Sequence, residues 1–398
     1  MVTQVSWWLF IGLGPAIYWL LPLKARAVSL AAASFVFLAF YAPGAVAVMA
    51  ALSLASFAAF ERPGWFGGLA GRVARSPWPI LAVLAYLFWS KYVPAFAAAM
   101  GGRASLLVFA APLGVSYFAF KLVHYLIERR RGNFPPHTLG DFLCFIFLMP
   151  IFTAGPIERF EHFLANRETR FQLDQVVEGG LRIAIGIIKK FLGGALVADA
   201  IRAVTGGGVP TMLSHLGSTG PQVVWAFLFL SLINIYLDFS AYTDIAIGSS
   251  RLFGLRIMEN FNLPFIATDL RKYWLRWHMT LALWCRTYVY MPMIGLTRNP
   301  YWAVIAAFVV MGAWHAGWPP QWMLWGLWHG VGSVVVLVWS RFEQKRKIRV
   351  FKGPAGAVAG WAMTMGYVAL GGAFTSLYGR APVIDSFRLI GRAFALPV

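Results

Sequence analysis

Three histidines each directly follow a tryptophan, and their side chains are the ones in this chain best suited to moving a proton. They are His278 (in RWHMT), His315 (in GAWHAG) and His329 (in GLWHG). Imidazole gains and loses a proton near neutral pH, so such a residue can act as general base for an attacking hydroxyl. A hydrogen-bonded structural role is the simpler interpretation for any one of them. Their clustering where the hydrophobic spans are interrupted favours a functional role.

Two acidic residues lie within one predicted span, in YLDFSAYTD, and buried charges in a bilayer are costly enough to suggest function. At 3.6 residues per turn, Asp238 and Asp244 point about 120° apart. This spacing disfavours a paired-carboxylate site. We expect a structural role instead, in which each carboxylate bonds to Ser, Tyr or a neighbouring Arg.

Motifs of other catalytic classes are absent from the sequence. There is no GxSxG, Walker or dinucleotide-binding pattern. HxxxD occurs once, at His137–Asp141, but so short a pattern often arises by chance. Cys144 and Cys285 show no metal-binding or disulfide spacing, and nothing marks Cys285 as an activated thiol, so we predict no metal site. If the chain carries out chemistry, we expect a direct transfer assisted by histidine, without a Ser or Cys intermediate.

The elements that must position these histidines are membrane spans. Of the 398 residues, 59% are hydrophobic and 12% are charged, against about 25% charged in soluble domains. Apolar stretches of bilayer-spanning length, about 20 residues, recur along the chain. The first lacks a basic start and is followed at once by further spans, so it is not a cleavable signal peptide. Examples are Trp7–Leu21, Ile80–Phe96, Ser105–Ile127, Val223–Leu237 with its flanks, and Trp322–Trp339.

The basic residues that give the net charge of +19 lie mostly in short loops between predicted spans, as in a membrane protein. They do not form the single basic patch of a nucleic-acid-binding surface. Basic residues follow the first, third and fifth predicted spans, while the alternate loops have almost none. The positive-inside rule therefore predicts an external amino terminus, cytoplasmic basic loops and contact with anionic lipid. The basic loops contain Lys24 and Arg26, then Arg62, Arg72 and Arg75, then Arg129, Arg130 and Arg131.

The middle of the chain does not divide into simple crossings. Asp141–Pro156 is apolar but short, so we expect a re-entrant segment there, and Gly179–Val204 is expected to cross outward. Between the basic stretches Arg251–Arg276 and Arg341–Lys352 lie three apolar pieces, and three full crossings would put Arg341–Lys352 outside. One piece is therefore expected not to cross, and prolines 292, 300, 319 and 320 favour breaks. We predict ten or eleven spans plus one or two partial ones.

Six segments, in this order and spacing, resemble the membrane-bound O-acyltransferase family. The resemblance runs from Pro112 to about Ser340 and is strongest to the bacterial branch that modifies cell-envelope polymers. The segments are PLGVSYF (112–118), MPIFTAGPIE (149–158), YLDFSAYTDIAIG (236–248), NFNLPF (260–265), YWLRWHMTL with WCRTY (273–288), and GAWH (312–315).

The resemblance implies an all-α fold of about ten or eleven transmembrane helices with re-entrant pieces, arranged as a ring around a thin central tunnel. It divides the chain, 1–398, into amino-terminal spans (1–105), the core (106–340), and a basic loop with the last span (341–398). His315 matches the family's invariant histidine, and His278 matches a second histidine of the bacterial branch. Ala316 stands where the family usually has Gly, and Thr280 replaces a usual Ser but keeps the hydroxyl.

The implied activity is transfer of a short acyl group, acetyl or D-alanyl, across the bacterial cytoplasmic membrane. No bound cofactor is expected. Acyl-coenzyme A or an acyl-phosphopantetheine carrier protein would donate from the cytoplasm. An external glycan, or a protein that passes the group on, would accept it, and the oligomeric state stays open. Besides the two catalytic histidines, residues expected at the tunnel or the donor are Trp277, Arg276, Lys272, Arg271, Trp314, Asp238, Asp244 and His329.

Two alternatives belong to other functional classes. A transporter or flippase would use the histidines as proton relays and would move glycan or lipid unmodified. A non-catalytic scaffold of an envelope-modifying complex would not need His315. The identity of the acyl group and of its acceptor is left open by the sequence.

Overall fold

The structure is a computed structural model that describes residues 4–61, 72, 76–99, 114–316, 320–348 and 350–397. These residues form helices joined by loops. Within these ranges no strand forms, and an isolated bridge pairs Arg167 with Leu255. Helices satisfy their own backbone hydrogen bonds, which a bilayer interior requires. The predicted all-α class is confirmed. Residues of the predictions that lie outside the described ones are Arg62, Arg75, the start of Ser105–Ile127 and Pro319.

The chain divides into two compact units. The first comprises Met1–Gly186 and Tyr242–Met258, and the second comprises Ile187–Ala241 and Glu259–Val398. The helices of the amino-terminal part are α1 (Val5–Leu20), α2 (Leu23–Tyr41), α3 (Pro43–Glu61), α4 (Trp78–Ala99), α5 (Val115–Arg131), α6 (Leu139–Phe147), α7 (Phe160–Ala165) and α8 (Leu173–Ile187).

The rest of the chain continues with a π-helical stretch, Ile188–Gly193, and ends at α18. A second π-helical stretch, Arg286–Tyr290, separates two short helices of the histidine region. The helices are α9 (Gly194–Val204), α10 (Val209–Ser214), α11 (Pro221–Leu252), α12 (Leu270–Trp274), α13 (Met279–Cys285), α14 (Met291–Thr297), α15 (Pro300–Ala316), α16 (Pro320–Arg346), α17 (Gly353–Ser376) and α18 (Val383–Ala393).

Five of the described helices, α2, α3, α11, α16 and α17, are long and apolar enough to cross a membrane. Shorter apolar helices include α1 and α15. Because several of its helices can each span a bilayer, the protein is a multi-pass membrane protein. The total of ten or eleven crossings stays a prediction.

Helices are interrupted in the two regions where the sequence predicts breaks, around Asp141–Pro156 and in the proline-containing region that follows Arg276. Asp141–Pro156 begins within α6 (Leu139–Phe147, 9 residues) and continues through a 3₁₀ turn at Met149–Ile151. Nine helical residues rise only about 14 Å, less than half of a hydrocarbon core of about 30 Å. This helix alone cannot cross. Pro300 and Pro320 are the first residues of α15 and α16, positions where the missing amide hydrogen costs nothing.

A buried polar network holds the break after α6. The Lys121 side chain is fully buried, and its Nζ donates to Phe145 O at 3.0 Å and to Ile146 O at 3.4 Å. These carbonyls belong to the last turn of α6, which has no helical partner for them and carries partial negative charge. Buried Glu158 accepts a 2.8 Å hydrogen bond from Met258 N. Because these groups have partners, the broken helix can stay buried.

Two glycines bring α15 and α16 into direct backbone contact. A Cβ added at Gly326 would lie 2.5 Å from Phe308 O, and one added at Gly312 would overlap Trp322 O. Any larger residue would push the helices apart. The close approach is what brings the aromatic side chains of α16 against His315.

Candidate functional site

The turn that carries His278 is held by a buried asparagine. Met279 N donates to Asn260 O at 2.9 Å, and Thr280 Oγ1 donates to Asn260 Oδ1 at 2.6 Å. Asn260 is fully buried. The hydroxyl of Thr280, noted above as standing in for Ser, therefore fixes the first turn of α13. This anchoring determines where the neighbouring imidazole lies.

His278 has an unusual backbone conformation. Its φ of 44° lies in the left-handed region, and it directly precedes α13. A β-carbon disfavours this region, and residues held there against that cost cluster at functional sites. The side chain is buried, and its ring lies edge-on to Phe239 with centroids 4.6 Å apart. The turn thus directs the His278 side chain into the protein interior, although its backbone conformation is energetically unfavourable.

His315, on the last turn of α15, lies against this turn. The ring centroids of His278 and His315 are 6.2 Å apart. At that separation a single carbonyl or hydroxyl group between the rings can contact both. His315 also stacks on Trp322, with centroids 4.5 Å apart and planes inclined by 19°. Trp314, also buried, lies edge-on to His315 at 4.9 Å.

His329 continues the same array on α16. Its ring centroid is 4.9 Å from that of Trp325 and 5.1 Å from that of Trp274. Trp325 in turn lies edge-on to His315 at 5.6 Å. We call these seven residues the histidine cluster: His278, His315, His329, Trp274, Trp314, Trp322 and Trp325. All three histidines predicted from the sequence are members of it.

Several ring nitrogens of the histidine cluster lack a partner. In the described part of the chain, no hydrogen bond reaches His278 Nε2, His329 Nδ1, Trp274 Nε1 or Trp322 Nε1. A buried polar atom left unsatisfied costs about 1–3 kcal/mol. Native structures rarely tolerate several such atoms together. Their grouping around His315 is typical of a site in which a polar ligand completes the hydrogen bonds.

The three predicted basic residues flank the turn of His278 and differ in their contacts. Lys272 donates to Thr268 Oγ1 at 2.7 Å and pairs with Asp269 at 3.1 Å. Arg276 donates to Asn262 O at 2.9 Å. Arg271 is exposed and forms no ion pair within the described ranges. Of the three, Arg271 therefore has the guanidinium group most available to a ligand.

Trp277 packs as part of the support behind the histidine. It is buried and stacks on Tyr273, with ring centroids 5.6 Å apart and planes inclined by 16°. It also lies edge-on to Phe261 at 5.2 Å. These contacts fix the orientation of the turn.

The two aspartates of α11 have separate basic partners. Asp238 pairs with Lys190 of the π-helical stretch, and Asp244 accepts a 2.5 Å hydrogen bond from Arg182 Nε. They form no carboxylate pair with each other, in agreement with their spacing. Asp238 is adjacent to Phe239, which packs on His278. These ion pairs indicate a structural role: Asp244 joins α11 to α8, and Asp238 joins it to the π-helical stretch.

The weaker motifs have structural partners. Asp141 forms a capping box with Thr138 at the start of α6 and pairs with Arg167. His137 contacts Tyr125 Oη at 3.0 Å. Both cysteines are buried and free. Within the described ranges, no three or more His, Cys, Asp or Glu side chains lie together in a way that could hold a metal ion.

Five residues that shape the site are not assigned from the sequence. Asn260 is the first residue of NFNLPF, and its spacing to Thr280 shows no link. Phe239, Trp322 and Trp325 are aromatic residues of predicted spans, and Trp274 lies in a predicted basic loop. The one available signal was the density of tryptophan after His315, at positions 322, 325 and 328.

The fold and this site define a polytopic α-helical membrane protein with paired histidines in an aromatic cluster where its helices break. The membrane-bound O-acyltransferase family matches residues 100–378. The chain belongs to that family.

Curated relatives agree with the family. The chain is 31% identical over 353 residues, 82% of its length, to a probable alginate O-acetylase AlgI of Azotobacter vinelandii. It is 33% identical over 277 residues, 65% of its length, to a teichoic acid D-alanyltransferase of Streptococcus thermophilus. A peptidoglycan O-acetyltransferase of Helicobacter pylori is 27% identical over 66% of the chain. The matches span 66%, 63% and 53% of these relatives' own lengths.

Proposed function

We propose that this protein moves a short acyl group, acetyl or D-alanyl, from a cytoplasmic thioester to a hydroxyl of a cell-envelope polysaccharide or of an intermediary protein. The observation that carries the proposal is the 6.2 Å approach of the His278 and His315 rings, beside the unpartnered nitrogens His278 Nε2 and Trp322 Nε1. The relatives named above modify alginate, teichoic acid or peptidoglycan. Their shared reaction class is acyl transfer.

In the proposed reaction, His315 takes the proton of the acceptor hydroxyl as its oxygen attacks the thioester carbonyl carbon. The new C–O bond forms, the C–S bond breaks, and the thiolate leaves with the proton that His315 has taken up. General-base help of this kind contributes roughly 10²–10⁴-fold. No covalent acyl-enzyme is needed, consistent with two cysteines that are both buried.

The second histidine and the tryptophans would act on the carbonyl oxygen. Negative charge develops there in the transition state, and fixed N–H donors stabilise it most where water is excluded. His278 Nε2 and Trp322 Nε1 are both buried and free of other partners in the described chain. Either nitrogen, when it bears a proton, can donate to that oxygen.

The donor would approach from the basic side. Arg271 and Lys272 are exposed on α12, and Arg276 follows it. Phosphate groups of coenzyme A or of a phosphopantetheine arm would bind such cations. The acceptor would enter from the opposite face, so that the acyl group rather than its carrier crosses the membrane.

The test is acyl transfer to envelope glycan in cells that lack the endogenous protein and express His315→Ala. We expect transfer to fall at least about 100-fold at equal protein level. His215→Ala is the matched control, because His215 is an exposed loop histidine. It should transfer normally.

Undiminished transfer by His315→Ala would contradict the proposed mechanism and favour a scaffold role. A transporter would instead export unmodified glycan or lipid without consuming an acyl donor. Following radiolabelled acyl groups from thioester to glycan in membrane vesicles separates that case, because a transporter leaves the label in the thioester.

A further inference from the structure

We infer that a surface pocket between α12, the end of α16 and the start of α17 binds the phosphate groups of a ligand. The pocket has a volume of about 520 Å³. Its polar lining comes from elements far apart in the sequence: Arg271, Ser340, Glu343, Gln344, Lys347 and Lys352.

The charge of the pocket is positive and largely unneutralised. It has three cations and one carboxylate, Glu343. Glu343 Oε1 already accepts a 2.9 Å hydrogen bond from Val350 N, which holds the loop after α16. Throughout the described chain, none of Arg271, Lys347 and Lys352 lies within 4.0 Å of a carboxylate. Three free cations around one concavity suit a phosphate, which accepts several charge-assisted hydrogen bonds.

The backbone at Lys347 is held by hydrogen bonds to the last turn of α16. Lys347 directly follows α16 and has a φ of 52°, the left-handed conformation that is usual for glycine at this position. Ile348 N donates to Glu343 O at 3.1 Å and Lys347 N to Gln344 O at 3.3 Å, which closes the helix end. A lysine at this position has an energetic cost that glycine would avoid. Its side chain is placed on the pocket by that backbone.

Helix electrostatics does not account for the whole set. Cations near a helix carboxyl terminus are stabilised by the helix dipole, and this explains Lys345, Arg346 and Lys347. Arg271 lies on the five-residue helix α12, which is too short for its dipole to account for a cation there, and Lys352 caps the amino terminus of α17, where the dipole disfavours one. Their convergence with Lys347 needs another cause, and an anionic ligand supplies one.

The distance between the pocket and the histidine cluster also suits an elongated acyl donor. Both α12 and α16 contribute to each: Trp274 and His329 to the cluster, Arg271 and Ser340 to the pocket. Ser340 follows His329 by 11 residues on α16, about 17 Å along the helix axis. An elongated donor whose phosphates are remote from its acyl carbon meets that separation. This use of the pocket rests on the proposed function; phosphate binding itself does not.

The same chemistry has a second source, the headgroup of an anionic phospholipid. The experiment therefore compares three probes: coenzyme A, inorganic pyrophosphate, and dioctanoyl phosphatidylglycerol with the zwitterionic dioctanoyl phosphatidylcholine as reference. Binding is measured by isothermal titration calorimetry on the purified full-length protein carrying His315→Ala, so the result is independent of catalysis. The pocket variant adds Lys347→Ala with Lys352→Ala.

The matched control adds Lys345→Ala with Arg346→Ala, which removes the same amount of charge from the end of α16 without changing a residue that lines the pocket. We expect the pocket variant to bind coenzyme A and pyrophosphate at least tenfold more weakly and the control to bind within twofold of the parent. Raising the salt concentration should weaken binding to the parent more than to the pocket variant.

Loss of coenzyme A binding identifies a donor site, and loss confined to phosphatidylglycerol identifies a lipid headgroup site; both support a phosphate pocket. Equal losses in the two double variants would overturn the inference, since net charge alone would then explain binding. Unchanged binding of all three probes would also overturn it. If the otherwise unaltered protein transfers no acyl group but the pocket binds, the proposed function fails and this inference stands.

Discussion

Two regions of the molecule bury polar groups in opposite ways. In the region around the break after α6, buried Lys121 and Glu158 have hydrogen-bond partners. Buried His124 accepts a 2.9 Å hydrogen bond from Phe160 N. In the histidine cluster, no hydrogen-bond partner among the described residues reaches His278 Nε2, His329 Nδ1, Trp274 Nε1 or Trp322 Nε1. The first region uses its polar groups within the fold, and the second holds its polar groups ready for a ligand.

The difference teaches which buried polar residues serve stability and which serve chemistry. A satisfied buried group stabilises the fold, and removing its partner leaves a full desolvation penalty. An unsatisfied group destabilises the free protein and is retained where binding or catalysis uses it. Substitutions in the two regions should therefore separate stability from activity.

The largest effect is expected for Lys121→Met. Methionine keeps the volume but leaves Phe145 O and Ile146 O without a donor. A buried acceptor left without a donor costs about 1–3 kcal/mol, so two of them lead us to expect a stability loss of about 3 kcal/mol and a clear drop in melting temperature. Thermal unfolding in detergent measures it. An unchanged melting temperature would show that this network is not structural.

The next effect is expected for His278→Asn, because asparagine tolerates a positive φ. Activity should fall about 10- to 100-fold, while the melting temperature stays close to that of the unsubstituted protein. The matched control is Leu263→Asn, since Leu263 is exposed and also has a positive φ of 47°. Acyl transfer and thermal unfolding are measured on both. A stability loss that accounts for all lost activity would remove the distinction between the two regions.

A smaller effect is expected from a pair of tryptophan substitutions on α16. Trp322→Phe removes an indole N–H that has no partner in the described chain. Trp328→Phe removes one that donates to Tyr367 O at 3.1 Å. We expect Trp322→Phe to lower kcat several-fold without loss of stability, and Trp328→Phe to cost about 1 kcal/mol of stability with activity retained.

The kcat and KM of the purified Trp322→Phe and Trp328→Phe proteins, together with their unfolding curves, show which substitution lowers activity and which lowers stability. The reverse assignment, with activity lost in Trp328→Phe and stability lost in Trp322→Phe, would contradict the role given to the unpartnered nitrogen. Equal effects of both substitutions would mean that aromatic packing, not the N–H group, is what matters.

The smallest effect is a pH dependence of stability at His162, in short helix α7. The Glu158 carboxylate accepts a 2.7 Å hydrogen bond from His162 Nδ1 and raises the pKa of His162 above its ordinary value of 6.5. Because the pKa of His162 is higher in the folded than in the unfolded protein, protonated His162 stabilises the fold. This contribution is complete at pH values below the pKa of the unfolded protein and is lost as the pH rises through the pKa of the folded protein. The stability difference between the unsubstituted protein and His162→Gln should therefore shrink from about pH 6 to about pH 8. Melting temperatures across this range test it, and a constant difference would rule it out.

Much of the architecture follows from local composition. Helical class, multi-pass membrane insertion and the interruptions near 141–156 and 278–320 could be read from apolar run length, basic loops and proline. The histidines could be found because each sits in a short motif beside tryptophan. These signals are local, so no knowledge of packing is needed to read them.

Other features depend on residues distant in sequence. Nothing in the spacing of Asn260 and Thr280 reveals their hydrogen bond, and nothing links Lys190 to Asp238 before the helices pack. Each basic residue of the phosphate pocket is, in sequence, an ordinary cytoplasmic charge. Only their convergence in space distinguishes Arg271, Lys347 and Lys352.

The sequence by itself determined that this protein lies in a membrane, that it is helical, and which side chains are candidates for the chemistry. It could do so because the transfer of apolar residues into a bilayer and helical hydrogen bonding depend on residues close together in the chain. Only the tertiary structure decided which of those side chains meet. The contact at Gly312 and Gly326 brings α15 and α16 together. It thereby stacks Trp322 on His315, while the strained turn at residue 278 brings the second histidine to 6.2 Å. Packing over long sequence separations made three separate motifs into one site.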